Sequence, residues 1–357
     1  MTPPPALNTN PHHPPPPTFP PHSAPRTWLI TACTSPIGIA IARQALSHND
    51  NVIAGLNPRH LAVTSDDGEE REEEGRGDEF RQFWQDVMGL CQAAVAEAVE
   101  AFGKLDILLC CSSEALVGTV EELAASPRTQ TLVREQFETN FFGPVNCIKA
   151  ALPTMRKRNS GHVIILTGIT GHLGTPGLGM YCAAGWALEG FCDSLAYEIA
   201  PFNIKMTIVQ PTIEIGVLTN KIISAPSMPQ YLAENNPAPL FRGIIGGLLD
   251  RLDTVQRNGD REPESLAGDQ IESLYPNLPP EMQSSLLAET INAITAIGGH
   301  DNPPARHIVG HEGVASVKEK LKTVSEELED FVDCSCAVDI DGGHGIEDAN
   351  GSVDGMV

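Results

Sequence analysis

The stretch TWLITACTSPIGIAIARQAL, residues 27–46, with NVIAGL at 51–56 just beyond it, decides the fold. TWLITAC (27–33) is a short apolar run with the length and composition of a buried strand. Ser35 and Pro36 then stand as N-cap and first helical residue, a helix-start signature, and Ile37–Leu46 carries helical spacing. NVIAGL is a second apolar run. Strand, helix and strand within about thirty residues make a βαβ unit, which requires a parallel sheet and a right-handed crossover.

Working outward, the alternation repeats. Arg81–Val87 is predicted as a strand, Cys91–Phe102 as an Ala-rich helix and Leu105–Cys111 as a strand. Thr131–Leu152 is predicted as a long helix ended by Pro153, His162–Thr167 as a strand, Gly179–Ile199 as a long helix and Lys205–Val209 as a strand. Ser284–Ile297 and Glu312–Val332 read as helices, the latter with Glu-to-Lys pairs at helical spacing. The class expected is α/β: a single doubly wound domain of six or seven parallel strands with helices on both faces.

The segments outside this pattern have their own composition. Residues 1–25 hold eleven prolines and three histidines, so residues 1–26 read as a disordered Pro/His-rich tail with polyproline II character. The alternative is a docking segment for a proline-binding partner. Residues 64–79 carry nine acids and two arginines and read as a disordered surface insertion. Residues 212–300 are irregular and read as a substrate-loop region covering the carboxyl ends of the strands, where doubly wound folds bind ligands. Residues 336–357 read as an acidic disordered tail, leaving 27–335 as the domain.

Charge and cysteines narrow the function classes. A net charge of −23 argues against nucleic-acid and anionic-membrane binding, which need basic surface. No apolar run is long enough for a membrane span, and the N-terminus has no signal-peptide pattern. The nine cysteines lack Cys-x-x-Cys spacing. The expectation is reduced thiols in a cytoplasmic protein without a metal site.

Three segments carry a family resemblance: DILLCCSS (106–113), FETNFFGPVNCIKAALP (137–153) and GHVIILTGITGHLGTPGLGMYCAAGWALEGFCDSLAYEIAPFNIKMTIVQP (161–211). In order and spacing the chain resembles the short-chain dehydrogenase/reductase family, with its NAD(P)-binding Rossmann fold, over roughly residues 27 to 335. Within it, the chain is similar to reductases of steroids, retinoids and other lipophilic carbonyls or alcohols. The resemblance implies hydride transfer between NAD(P) and such a substrate, and a homodimer formed through the two long helices.

Carried across residue by residue, the resemblance sets Tyr181 at the position of the family's general acid/base and Asn140 at that of its relay asparagine. The lysine that lowers the tyrosine's pKa falls at Gly185, and the serine that polarises the substrate oxygen at Gly168. A tyrosine near pKa 10 is a poor base at neutral pH without a nearby cation. Thr167 and Thr170 are the nearby hydroxyls, and His172 and Arg43 the cations that folding would have to bring close.

The resemblance also places a cofactor at Thr31, Ser35, Ile37, Gly38, Asn57, Asp86, Val87, Ser112, Pro211 and Thr212. The family's Thr-Gly-x-x-x-Gly-x-Gly phosphate loop is here TACTSPIG (31–38), with Ala32 and Pro36 at two of the glycine positions. Its Asn-Asn-Ala-Gly is here Cys110-Cys111-Ser112-Ser113. The absence of an acid at Leu56 and Asn57, with Arg59 just beyond, tilts the choice from NAD toward NADP, with binding weakened or lost. Two readings follow: a catalytically impaired oxidoreductase relative (a pseudoenzyme) with an interaction or regulatory role, or an active NADP(H)-dependent oxidoreductase using Tyr181 with non-standard supporting residues.

Overall fold

The computed structural model describes residues 22, 24–56, 76–212, 219–232, 234–236, 238, 240–245, 270–274 and 280–336. Contacts divide the chain into two compact units, Met1–Val314 and Ala315–Val357.

In the first unit the elements run β1 (Thr27–Ile30), α1 (Pro36–Ser47), β2 (Asn51–Ala54), α2 (Arg76–Phe102), β3 (Ile107–Cys110), β4 (Glu114–Val117), α3 (Val120–Ala124) and α4 (Pro127–Phe137). A π-helical turn (Glu138–Phe142) leads into α5 (Gly143–Arg158), β5 (Gly161–Leu166), α6 (Gly179–Ile199), β6 (Ile204–Gln210), β7 (Lys221–Ser224), β8 (Glu272–Leu274), α7 (Pro280–Ile297) and β9 (Arg306–Ile308). A further helix, α8 (His311–Asp330), begins in this unit and continues into the second, where α9 (Val332–Cys336) follows.

Six strands form one parallel sheet in the order β2-β1-β3-β5-β6-β9. This is the doubly wound α/β fold that the alternating strands and helices imply. Period-2 alternation distributes the core between the two faces. Trp28, Ile30, Ile107, Leu109 and Ile164 pack with Ile37 and Ile41 of α1 and Leu287, Ile291 and Ile294 of α7. The intervening residues Leu29, Leu108, Cys110, Val163 and Ile165 pack with α2, α5 and α6 through Val95, Met155 and Leu188. Chain order reverses on either side of β1, so the crevice at the carboxyl ends of β1 and β3 is the switch point of the sheet.

Three local differences from the sequence reading have physical causes. Residues 81–87 are not a strand but lie inside α2, where Phe80, Trp84, Val87, Cys91 and Val95 recur every three to four positions. That helix also takes in residues 76–79 of the acidic segment, while residues 64–75 lie outside the described residues. Pro153 does not end its helix: α5 continues to Arg158 and stops at Asn159 in the left-handed conformation. An interior proline costs about 3 kcal/mol, and the turn beyond it buries Met155 completely. The irregular region also contributes a second sheet, in which β7 pairs with β4 in parallel and β8 with β7 antiparallel.

Two buried polar groups lock the sheet. The Asp50 carboxylate accepts from the backbone N–H of Arg26, from its Nε and NH2, and from Trp28 Nε1. Arg26 NH1 in turn donates to the carbonyl of Gly298, at 2.6 Å. At the far side, Gly299 donates its N–H to His162 Nδ1, which leaves Nε2 to donate to Thr207 Oγ1. Burial first, and the charges of Lys205 and His300 after it, push His162 down from 6.5 to about 3.

Asp50→Ala is expected to lower the unfolding free energy by about 3–5 kcal/mol, the range for stripping one partner from a buried pair, as read by urea denaturation. For His162 the folded state stays neutral while the unfolded chain gains a proton below pH 6.5, so its contribution disappears as pH falls from 6.5 toward 3. His162→Gln should therefore lose less stability than the wild type between pH 7 and pH 4.5; equal losses would refute the assignment.

Candidate active site at the switch point

The site is built around Thr31, the first residue after β1. Its N–H donates to the carbonyl of Leu109. Its hydroxyl accepts from the Cys111 N–H at 2.9 Å and from Ser112 Oγ at 3.1 Å, and its carbonyl accepts from Cys111 Sγ. The ends of β1 and β3 are thus tied by one residue. The turn that follows holds Ala32 at φ 52, in the left-handed region that disfavours a Cβ. Ser35 caps α1: its Oγ donates to the Ala32 carbonyl and accepts from the Gly38 N–H. Gly38 is required there, because a Cβ on it would stand 2.4 Å from the Ala32 carbonyl oxygen. Ile37 is buried in the core behind the turn.

Tyr181 lies in the first turn of α6 and is buried. Its hydroxyl is 3.2 Å from Ser113 Oγ. Burial is the main influence and raises its pKa above 10, with Cys182 adding to the effect and the Ser113 hydrogen bond opposing it. Gly185, one turn further along α6, has open space where a Cβ would be. Gly168 is in extended backbone after β5, and a Cβ there would meet Thr170 Oγ1 at 3.5 Å and the Pro211 carbonyl at 3.6 Å, ordinary contacts. Both positions have room for a Cβ.

Asn140 sits in the π-helical turn with its side chain clamped to the backbone of Glu114: Oδ1 accepts from its N–H and Nδ2 donates to its carbonyl, both at 2.9 Å. Asp86 and Val87 fall within α2, not at a strand end, and Asn57 lies outside the described residues. Pro211 follows β6 and its carbonyl accepts from the Ile169 N–H, while Thr212 Cγ2 lies near Gly310 and Gly313.

The candidate cations do not replace the lysine. His172 Nε2 is paired with Gln210 Oε1, and Arg43 is exposed on α1. Gln210 donates on to Glu189, whose Oε1 also accepts from Thr167 Oγ1. Trp186 Nε1 donates to the Thr170 carbonyl. These contacts hold the loop after β5 against α6 and β6. Sequence reasoning missed Ser113 as the tyrosine's partner. The only signal was its place in a motif where the family has a glycine, with no spacing rule to point it at Tyr181.

A parallel sheet with a switch-point crevice, a capped helix start beside it and a buried tyrosine on a following helix define a dinucleotide-fold oxidoreductase scaffold. Residues 26–223 match the family model for the short chain dehydrogenase, and the chain belongs to that family. It is 28% identical over 316 residues to Oxidoreductase BOA17 of Botryotinia fuckeliana, covering 87% of this chain and 98% of that protein. It is 32% identical over 214 residues to human Retinol dehydrogenase 8, covering 58% of this chain and 65% of that protein. Among solved structures, a short-chain dehydrogenase from Streptomyces avermitilis shares the fold at a TM-score of 0.58 and 24% identity, covering 88% of this chain and 100% of that one.

Gly185→Lys is expected to lower the Tyr181 pKa by about 1–3 pH units by placing a cation within reach of the hydroxyl. An ultraviolet difference titration with Tyr181→Phe as the reference reads it; an unchanged transition would mean that the ammonium does not reach the phenol.

Proposed function

We propose that the protein is a short chain dehydrogenase relative with impaired oxidoreductase chemistry, and that its role is interaction or regulation in the cytoplasm. The observation that carries this reading is the surroundings of Tyr181: a neutral, buried hydroxyl that meets Ser113, with glycine where the activating lysine would stand. General acid–base assistance is worth roughly 10²–10⁴ in rate, and a tyrosine held above its ordinary pKa supplies little of it as a base.

The donor set does not fit the pyrophosphate and ribose of NAD(P). A phosphate cradle at a helix N-terminus works through free backbone N–H groups. Pro36 has none, and the Gly38 N–H is already bonded to Ser35 Oγ. Ala32 adds a side chain to the turn at a glycine position, and Gly185 offers no ammonium to the ribose.

One observation favours a second reading. Ser113 Oγ lies at hydrogen-bond distance from Tyr181 and would serve as the missing hydroxyl of an active, NADP(H)-preferring enzyme for a lipophilic carbonyl or alcohol. The names of the relatives, an oxidoreductase and a retinol dehydrogenase, support that substrate class. In this reading the segments after β6 cover the substrate, and a homodimer through α4–α5 and α6 is the natural assembly.

Calorimetric titration of the purified protein with NADPH and NADH separates the two. The expected result is no saturable binding up to millimolar cofactor. Gly168→Ser with Gly185→Lys should restore little unless Ala32→Gly and Pro36→Gly are added. Micromolar binding, together with carbonyl reduction abolished by Tyr181→Phe, would establish the active enzyme instead.

A further inference from the structure

The sheet face that carries α2 and α5 holds a row of three thiols. Cys91 lies on α2, Cys147 on α5, and Cys110 ends β3 beneath them. Cys91 Sγ and Cys147 Sγ are 3.4 Å apart, in van der Waals contact. Cys147 also shares a hydrogen bond with Cys110. The two helices lie side by side, and Ala94, Ala150 and Ala151 belong to the same packed cluster. Side chains that small let the helices come close enough for the thiols to meet.

The row runs inward from the surface. Cys91 and Cys147 are half-buried and Cys110 is buried. A small oxidant therefore meets the outer pair before the inner thiol. A disulfide holds its sulfurs at about 2.05 Å, so the pair has about 1.4 Å to close, a movement on the scale of side-chain torsions.

We propose that Cys91 and Cys147 form an oxidation site, joined as an intrachain disulfide by hydrogen peroxide. Cys91, the less buried of the two, reacts first. Its thiolate attacks one peroxide oxygen and breaks the O–O bond, leaving a sulfenic acid. The hydroxide released takes up the thiol proton as water. The Cys147 thiolate then attacks Cys91 Sγ and breaks the S–O bond. That hydroxide takes up the Cys147 proton as a second water. Two thiols are oxidised and one peroxide is reduced.

The reaction is slow. The thiolate is the nucleophile, and each thiol has a neighbour that opposes its ionisation, Cys147 for Cys91 and Cys110 for Cys147, with burial adding to both. The pair thus stays reduced through a brief exposure and links under a sustained one. The link closes a ring over residues 91–147, which contains Ser113 and Asn140. It restricts the unfolded chain and so stabilises the oxidised form. The proposal stands whether or not the candidate site binds a cofactor.

Prolonged peroxide treatment of the full chain, followed by alkylation and peptide mass mapping, tests it. The expected result is one linked peptide pair carrying Cys91 and Cys147. The melting temperature should rise by about 5–15 °C and return on reduction. Cys91→Ala and Cys147→Ala should each abolish the link and the rise. Cys334→Ser with Cys336→Ser removes two exposed thiols and should leave both signals. The mapping needs no variant, so a variant that fails to fold does not blunt the test. A link from Cys147 to Cys110 instead, oxidation of Cys91 with no link, or a link without a change in melting would each overturn the proposal.

Discussion

The hydroxyl of Thr31 fixes where β3 leaves the sheet, and the rest of the site depends on that exit. It accepts from the Cys111 N–H and from Ser112 Oγ, while the same residue's carbonyl takes Cys111 Sγ. With Cys111 and Ser112 held there, the next residue is Ser113, and its hydroxyl arrives beside Tyr181. Glu114 follows, gripped from the other side by Asn140. Four consecutive residues are thus pinned between β1, the π-helical turn and α6. The Ser113–Tyr181 contact is set by the backbone path as much as by the two side chains. A free-swinging loop would have to give up about 1–2 kcal/mol of backbone entropy per residue to hold that geometry.

How much of this was legible in the sequence follows the range of the interactions. The strands were readable because TWLI, ILLC and HVIIL are apolar on both faces, as strands of a buried parallel sheet must be. The start of α1 was readable because Ser35 and Pro36 act within one turn. Residues 81–87 were misread because so short a stretch of mixed polar and apolar residues looks alike in either period. Only the longer pattern through Cys91 and Val95 favours the helix. Pro153 was misread because the local rule against proline gives way to the burial of Met155 beyond it. The second sheet joins β4 to strands more than a hundred residues further along, and no local pattern announces such a pairing.

The candidate residues divide along the same line. Their types and positions came from the family resemblance, but what each one touches did not. Asn140 looks like a relay group in sequence; in the structure both ends of its amide bond the Glu114 backbone. His172 looks like a stand-in cation and instead bonds Gln210 in a buried chain leading to Glu189 and Thr167. Side chains that meet across 26 to 68 residues of sequence are invisible until the fold is known.

A physical rule separates the family-like residues that this chain keeps from those that it lacks. Thr31, Asn140 and Tyr181 each make hydrogen bonds or packing contacts that hold the first unit together. Removing the Asn140 amide, for instance, would take away its two hydrogen bonds to the part-buried backbone of Glu114, each worth about 0.5–1.5 kcal/mol. Gly168 and Gly185 are different: the space where their side chains would be is open or in ordinary contact, so no neighbour leans on them. At Gly185 the glycine even costs the helix about 0.5–1 kcal/mol relative to alanine. The residues present are those that the scaffold itself needs, and the residues absent are those whose contacts would be with a bound cofactor or substrate. The impairment proposed above rests on that contrast between bonded and open positions.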